Sequence, residues 1–543
     1  MEKFILSGNI VDIKNRIVYP GTVEVENGKI AGVKKDSGKY DNFIMPGFID
    51  AHIHVESSML IPSEFARIAV THGTVATVSD PHEIANVLGV EGVKYMIENG
   101  NLVPFKFYFG APSCVPATDF ETAGARLEAE DIEFLFKEFD LHYLSEMMNY
   151  PGVLFAAPDV MEKISIAQKY GKPVDGHAPG LKGEDAKKYV SAGISTDHEC
   201  FTIEEALEKI SYGMKVLIRD GSAAKNFGEL HPLIKLQKDM IMFCSDDKHP
   251  DDFVEGHIND VVKRAMELGY DLYDVLQIAC LNPIGHYSLE VGTLNVGDAA
   301  DFIEVNSLTE FKNIATYING VKVSENGKTL INSVEAKIVN NFNIGPKKAE
   351  DFAIEHKAGK IRVIEAIEGQ LITNELHLNA KVENGFVVSD TENDVLKMTV
   401  VDRYNEVKPA VGFIKNFGLK SGAIASCVGH DSHNIIAIGV DDESIAAVVN
   451  AVVKHTGGIA ILVDGKVEVL PLPVAGIMSN EDGWTVAKKY SDLNTLPKKI
   501  GCHLHSPYMT LSFMALLVIP ALKLGDKGLF DGSKFEFVDL FVS

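Results

Sequence analysis

The chain has 543 residues, a formal net charge of −25 at pH 7, 46% hydrophobic residues and 23% charged ones. That length implies two or three domains, and the acidic balance argues against nucleic acid and anionic membrane as partners, because neither tolerates a strongly acidic face. No uninterrupted apolar run approaches the roughly 20 residues of a membrane helix, Met1–Ile10 lacks a signal-peptide pattern, and Cys114, Cys200, Cys244, Cys280, Cys427 and Cys502 form no C-x-x-C pair; the expectation is a cytoplasmic protein with free thiols.

Residues 1–42 read as short strands (4–11, 17–18, 21–25 and 29–33) separated by Asn-Gly and Pro-Gly turn signals. The same texture returns at 292–323, with Asn319-Gly320 among its turns. The two segments, 1–42 and 289–335, are expected to build one small β-sandwich from both flanks of the region between them. In that region, 43–288, short apolar runs alternate with amphipathic helical patterns, the mark of βα units and a parallel sheet. Eight strand candidates fall at 43–49, 74–78, 104–109, 141–144, 173–174, 193–196, 215–218 and 241–244. Helices are expected at 90–99, 129–139, 159–170, 203–211 and 259–268. Eight such units in about 250 residues is the size of a (β/α)8 barrel. Residues 340–543 mix strands (361–367, 458–463) with helices (444–454, 481–490) and read as a separate C-terminal α+β domain.

In such a barrel the catalytic groups gather at the C-terminal ends of the strands. After the first apolar run stand His52 and His54, two imidazoles at i and i+2 that project to the same face of a strand. The second is followed by Asp80, His82 and Glu83, the fourth by Glu146, the fifth by His177, the sixth by His198, the seventh by Arg219 and Asp220, and the eighth by Asp246 and Asp247. Singly, each fits a solvated loop; together they are the donor set of a pair of divalent ions, imidazole nitrogen and carboxylate oxygen with one carboxylate as bridge. Two ions sharing a water lower its pKa toward neutrality. A nearby carboxylate, for which Asp246 is placed, can then take a proton and pass it to a leaving group.

The stretch Pro46-Gly47-Phe48-Ile49-Asp50-Ala51-His52-Ile53-His54 resembles the opening motif of the amidohydrolase superfamily, and 292–302 resembles the sandwich strand that follows its barrel. Within the superfamily the chain is most similar to the bacterial and archaeal adenine deaminases. That similarity rests on His54-Val55-Glu56-Ser57-Ser58-Met59, on 79–87 (Ser-Asp-Pro-His-Glu-Ile-Ala-Asn-Val), on 146–153, on 244–250 and on Gly429-His430-Asp431-Ser432-His433-Asn434. It spans essentially the whole chain, including a C-terminal domain that ordinary superfamily members lack. The resemblance implies a binuclear centre, with His52, His54 and Asp246 on one metal, His177 and His198 on the other, and Glu146 as the bridge that many relatives build from a carbamylated lysine. It implies manganese or ferrous iron ahead of zinc. The reaction implied is attack of metal-activated hydroxide on C6 of adenine, giving hypoxanthine and ammonia in purine salvage.

In that reading Asp246 is the general base that later protonates ammonia. Glu83 protonates the ring nitrogen beside C6, with His82 as the alternative. Glu56, Arg219, Asp220 and Ser222 either contact the purine edge or orient the ligands. Asn86 and Asn149 are structural. The His430-Asp431-Ser432-His433 cluster reads first as a helix start, with closure of the barrel mouth as the second reading, and His503 and His505 read as structural. The large third region points to a homo-oligomer, a dimer or larger. An N-acetylglucosamine-6-phosphate deacetylase, the nearest rival, would need an Arg/Lys cluster for a sugar phosphate; a silent scaffold would have lost ligands.

Overall fold

The structure is a computed structural model, and it describes residues 3–222, 224–368 and 370–542. Eight parallel strands carry the middle of the chain: β1 (Phe48–Ile53), β2 (Thr74–Ser79), β3 (Lys106–Phe109), β4 (Leu144–Met147), β5 (Val174–Gly176), β6 (Thr196–Asp197), β7 (Lys215–Arg219) and β8 (Ile241–Cys244). β1, β2 and β3 pair in that order, as do β4 with β5, and β6, β7 and β8. Parallel bridges at Ala111–Leu144, Val174–Ile194 and Ile53–Asp246 join the three sheets end to end, so the last strand returns to the first. Every residue of β1, β2, β4, β5, β6 and β8 is buried, as expected of parallel strands covered on both faces. Helices at Val90–Gly100, Ala129–Phe139, Pro158–Lys169, Ile203–Ser211 and Ile258–Glu267 lie within about a residue or two of the expected ranges.

Three strands differ from the sequence reading in a way that matters. The first, expected over 43–49, is split at Gly47: Phe43–Pro46 pairs with Phe302–Val305 outside the barrel, and the barrel strand runs Phe48–Ile53. The fourth was expected over 141–144 and instead runs Leu144–Met147, which puts Glu146 inside the strand. The sixth, expected at 193–196, is only Thr196–Asp197, and its apolar start at Ile194 makes a single bridge to β5.

An eight-stranded sheet combines Phe4–Asp12, Ile17–Glu26, Lys29–Lys35 and Phe43–Pro46 with Phe302–Val305, Asn313–Ile318, Val321–Glu325 and Lys328–Thr329. The two halves meet where Phe43–Pro46 pairs antiparallel with Phe302–Val305. Three of its hairpins turn on Asn-Gly pairs, Asn27-Gly28 at φ 54° and 77°, Asn319-Gly320 at φ 48° and 74° and Asn326-Gly327 at φ 50° and 73°, the left-handed conformation that a two-residue turn matching the strand twist demands.

Beyond residue 340 a nine-stranded, largely antiparallel sheet carries Lys360–Ala366, Val395–Val401, Ala410–Lys415, Ala423–Ser426, Ile435–Gly439 and Gly458–Val463 in its centre. Helix Asp442–Lys454, capped by the Asp441 side chain accepting from Ser444 N at 2.7 Å, lays Ile445, Val448, Val449 and Val452 on one face. Met398, Val400, Ile424, Ile436 and Ile438 of the other face belong to the same continuous core as the eight parallel strands. Period-two alternation thus gives each strand one face for the helix and one for the rest of the molecule. The loop 427–434 leaves this sheet between Ala423–Ser426 and Ile435–Gly439 and reaches the C-terminal ends of β1 to β8. Among the described residues no helix is long and apolar enough to cross a membrane.

Candidate metal centre

Along β1 the side chains of Asp50 and His52 share a face, and His54 follows at its end. Asp50 accepts from Ser245 N at 3.0 Å and meets His257 Nε2 at 2.8 Å, and His257 Nδ1 is 2.8 Å from Thr74 Oγ1, so a buried polar network holds the base of the strand end. Above it the donor atoms converge. Nε2 of His54 lies 3.3 Å from Oε1 of Glu146 and 3.2 Å from Oδ1 of Asp246. Nε2 of His52 lies 3.7 Å from the same aspartate oxygen, and its ring stacks on that of His198 with centroids 4.1 Å apart. On the other side Oε2 of Glu146 meets Nε2 of His198 at 3.2 Å and Nδ1 of His177 at 2.8 Å. The carboxylate of Glu146 therefore faces β1 with one oxygen and β5 and β6 with the other, as a bridge between two cations must.

These side chains are buried, apart from His177, which is 24% exposed at the mouth. Both ring nitrogens of His52 lack a hydrogen-bond partner in the interior, an arrangement that costs free energy unless a nitrogen ligates something. Burial opposes ionisation of Glu146, but the imidazoles of His177, His198 and His54 outweigh it and hold the carboxyl well below its usual range. Burial likewise opposes a charged Asp246, and Arg219, His52 and His54 hold it well below. Asp246 sits at φ 55°, a left-handed conformation that costs a non-glycine residue about 1 kcal/mol or more, and its N–H donates to His52 O at 2.9 Å. Buried nitrogen and oxygen donors of this kind suit a pair of divalent ions.

The substrate-edge candidates separate by their contacts. Arg219 donates to Oε2 of Glu199 at 2.9 Å and also reaches Oε1 of Glu199 and Oδ2 of Asp246. Its guanidinium is thus engaged by two carboxylates at the centre. Asp220 binds Arg264 at 2.7 Å. Ser222 donates to Asp252 at 2.6 Å and accepts from His249 N at 2.9 Å, apart from the converging group. Glu56 is buried near Glu83, accepts from Ile84 N at 3.2 Å, and burial pushes its carboxyl up to about 7. Asn149 caps helix Tyr150–Leu154, and Asn86 donates to His82 O at 3.0 Å.

Asp80 fixes the second strand end: Oδ1 accepts from His82 N at 3.0 Å and from Ser145 Oγ at 2.7 Å, and Oδ2 is 3.2 Å from His82 Nδ1. The turned His82 ring then lies 3.5 Å from Oε1 of Glu146. Glu83 opens the helix His82–Leu88 and points at the C-terminal sheet, where His430 Nδ1 hydrogen-bonds Oε1 and His433 Nε2 stands 2.5 Å from Oε2. The cluster read first as a helix start is thus an inter-domain contact with the site. Glu199, 3.5 Å from His198 Nε2, was also not singled out; its position directly after His198 was the available signal.

A model described as "Amidohydrolase family" matches residues 43–331, and one described as "Adenine deaminase C-terminal domain" matches residues 370–536. A protein named adenine deaminase from Sulfurovum sp. (strain NBC37-1) is 54% identical over 98% of this chain and 99% of its own. The chain belongs to the adenine deaminase family. Similarly named relatives from Salinibacter ruber and Borreliella burgdorferi are 53% and 48% identical, each over 99% of this chain. Family membership covers both the metal-hydrolase part and the C-terminal part from which His430 and His433 come.

Proposed function

We propose that the chain hydrolyses adenine to hypoxanthine and ammonia at a binuclear centre held by His52, His54, Glu146, His177, His198 and Asp246. Adenine deaminase relatives at about half identity over nearly the full length support the reaction. The observation that carries the centre is the division of the Glu146 oxygens, one toward His54 and one toward His177 and His198. Manganese or ferrous iron is the proposed metal, ahead of zinc. When bound, the ions polarise a shared water and bring its pKa toward neutrality.

The chain's own residues handle the protons. One water supplies two hydrogens: one ends on the ring nitrogen beside C6, the other on ammonia. Asp246, fixed by Arg219, takes a proton from the attacking water and returns it to the departing amine. Glu83 delivers the proton to the ring nitrogen, with His82 beside it 3.8 Å away. Glu56, buried behind them, is the remaining candidate for the purine edge. Against a sugar-phosphate substrate, Arg219 is tied to Glu199 and Asp246 and so cannot serve as a phosphate anchor.

The sandwich of 1–42 and 289–335, the closed (β/α)8 barrel of 43–288 and the α+β domain of 340–543 are the proposed division of the chain, with Phe43–Pro46 moved from the barrel to the sandwich sheet it pairs in. Six buried unpaired cysteines support a cytoplasmic location, and a homo-oligomer free of nucleic acid and membrane is the proposed state. Elemental analysis tests the centre: two metal equivalents per chain are expected, with both reduced in Glu146→Gln. One equivalent or none in the unmodified protein contradicts it.

A further inference from the structure

Glu83 sits on the first turn of a helix in the N-terminal half, yet the first partner of its carboxylate, His430, comes from 347 residues away. His430 Nδ1 hydrogen-bonds Oε1. His433 Nε2 approaches Oε2 to 2.5 Å, off the axis of an aligned hydrogen bond. The tautomer of His433 is set from behind, because its Nδ1 accepts from Gly429 N at 3.3 Å, which leaves the proton on Nε2, the nitrogen that faces Glu83. His433 holds a left-handed backbone, φ 55°, to place that ring. The ring of His430 is wedged flat against Phe513, centroids 5.1 Å apart and 10° from parallel.

The loop bearing both imidazoles is itself fastened to the loop after β3. Ser432 Oγ donates to Glu121 at 2.7 Å, and Asn434 Nδ2 donates to Thr122 O at 2.9 Å. Thr122 in turn donates to Asp526 through N and Oγ1 at 3.0 and 2.6 Å. A hydrogen bond from His430 to one oxygen and the close approach of His433 to the other hold the carboxylate between two imidazoles.

We propose that His430 and His433 of the C-terminal domain are positioning residues of the deamination step, holding Glu83 in the orientation from which it hands a proton to the ring nitrogen. The inference rests on the adenine deaminase reading and extends it: the C-terminal domain completes the active site. Burial alone would lower the basicity of His430, yet Glu83 raises it to about 10. The pair therefore shares one proton, held on His430 beside an ionised Glu83: His430 Nδ1–H passes it to Glu83 Oε1, Glu83 hands it on to the ring nitrogen, and the water hydrogen that does not travel through Asp246 to ammonia returns to His430 by way of Glu83.

The test is steady-state deamination of adenine by the metal-loaded full chain, comparing wild type with His430→Ala, His433→Ala, and the pair His430→Asn and His433→Gln, which keep an N–H near the positions of Nδ1 and Nε2. Metal content and thermal midpoint are measured on each. The expected result is a kcat lower by about 10²–10⁴ in the alanine variants, KM within about threefold, two metals retained, and partial recovery of kcat in the Asn and Gln variants. Alanine variants that keep metal and kcat within about threefold overturn the proposal. So does a kcat loss that tracks lost metal, or one that the Asn and Gln variants do not relieve at unchanged thermal midpoint. A wild type that leaves adenine untouched overturns the parent reading instead, and that is read from the wild-type trace alone.

Discussion

Arg219 is the residue whose removal gives the sharpest energetic test. Its guanidinium is buried, donates to both oxygens of Glu199 and reaches Oδ2 of Asp246, and the two acids are 5% exposed or nearly so. At about 3 Å and an effective dielectric of about 20, each pair is worth about 5 kcal/mol before desolvation. Burial of the arginine takes back much of this. What does not cancel is the cost of leaving a buried acid without its partner, about 3–5 kcal/mol when one member of such a pair is removed. Arg219→Met should therefore lower stability by about that amount, because Glu199 and Asp246 both lose their guanidinium partner. Adding Glu199→Gln removes one stranded charge, so the double variant should be more stable than the single by about 1–3 kcal/mol. Denaturant unfolding of the metal-loaded proteins at pH 7 reads both. Stability of Arg219→Met within about 0.5 kcal/mol of wild type, or a double variant no better than the single, would refute the reasoning. A raised KM with unchanged stability would instead place Arg219 on the substrate.

Other outcomes follow from the same contacts. Glu83→Gln keeps its two metals and loses turnover by about 10²–10⁴; near-normal kcat removes Glu83 from the mechanism. Asp246→Asn loses activity and weakens metal retention in the same preparation, read by elemental analysis beside kcat. Lys523 is buried, donates to Leu371 O at 2.6 Å and Phe513 O at 2.9 Å, and burial pushes it from 10.5 down to about 7. Between those values the unfolded chain binds a proton that the folded chain refuses, so this group costs stability as pH falls from 10.5 to 7 and no further below. The thermal midpoint of Lys523→Met relative to wild type should then rise on going from pH 10 to pH 7; a constant difference contradicts it.

Much of the centre was legible because parallel strands leave a periodic trace. His52 and His54 stand out as an i, i+2 pair, and His177, His198 and Asp246 each follow an apolar run at a comparable place. Glu146 was singled out although its strand begins three residues later than expected; Ser145 and Glu146 interrupt the apolar run that ends at Leu144, and only pairing with β5 shows that the strand continues through them. The fate of 430–433 could not be read the same way. An Asp-Ser between two histidines has a good local explanation as a helix start, and only tertiary packing brings it to Glu83. Arg219 and Ser222 were read together as purine contacts or ligand supports; in the fold Arg219 meets carboxylates at the centre and Ser222 meets Asp252. Strand periodicity tells which end a residue stands at; it does not tell which neighbour claims its hydrogen bonds.

The most direct measurement is conversion of adenine to hypoxanthine, followed by ultraviolet absorbance, with one sample loaded with Mn²⁺ and a parallel sample stripped by chelator. Turnover in the loaded protein, its loss on stripping and its return on adding metal back are the predicted results. Equal turnover in both samples, or none in protein shown to hold two ions per chain, would contradict the account.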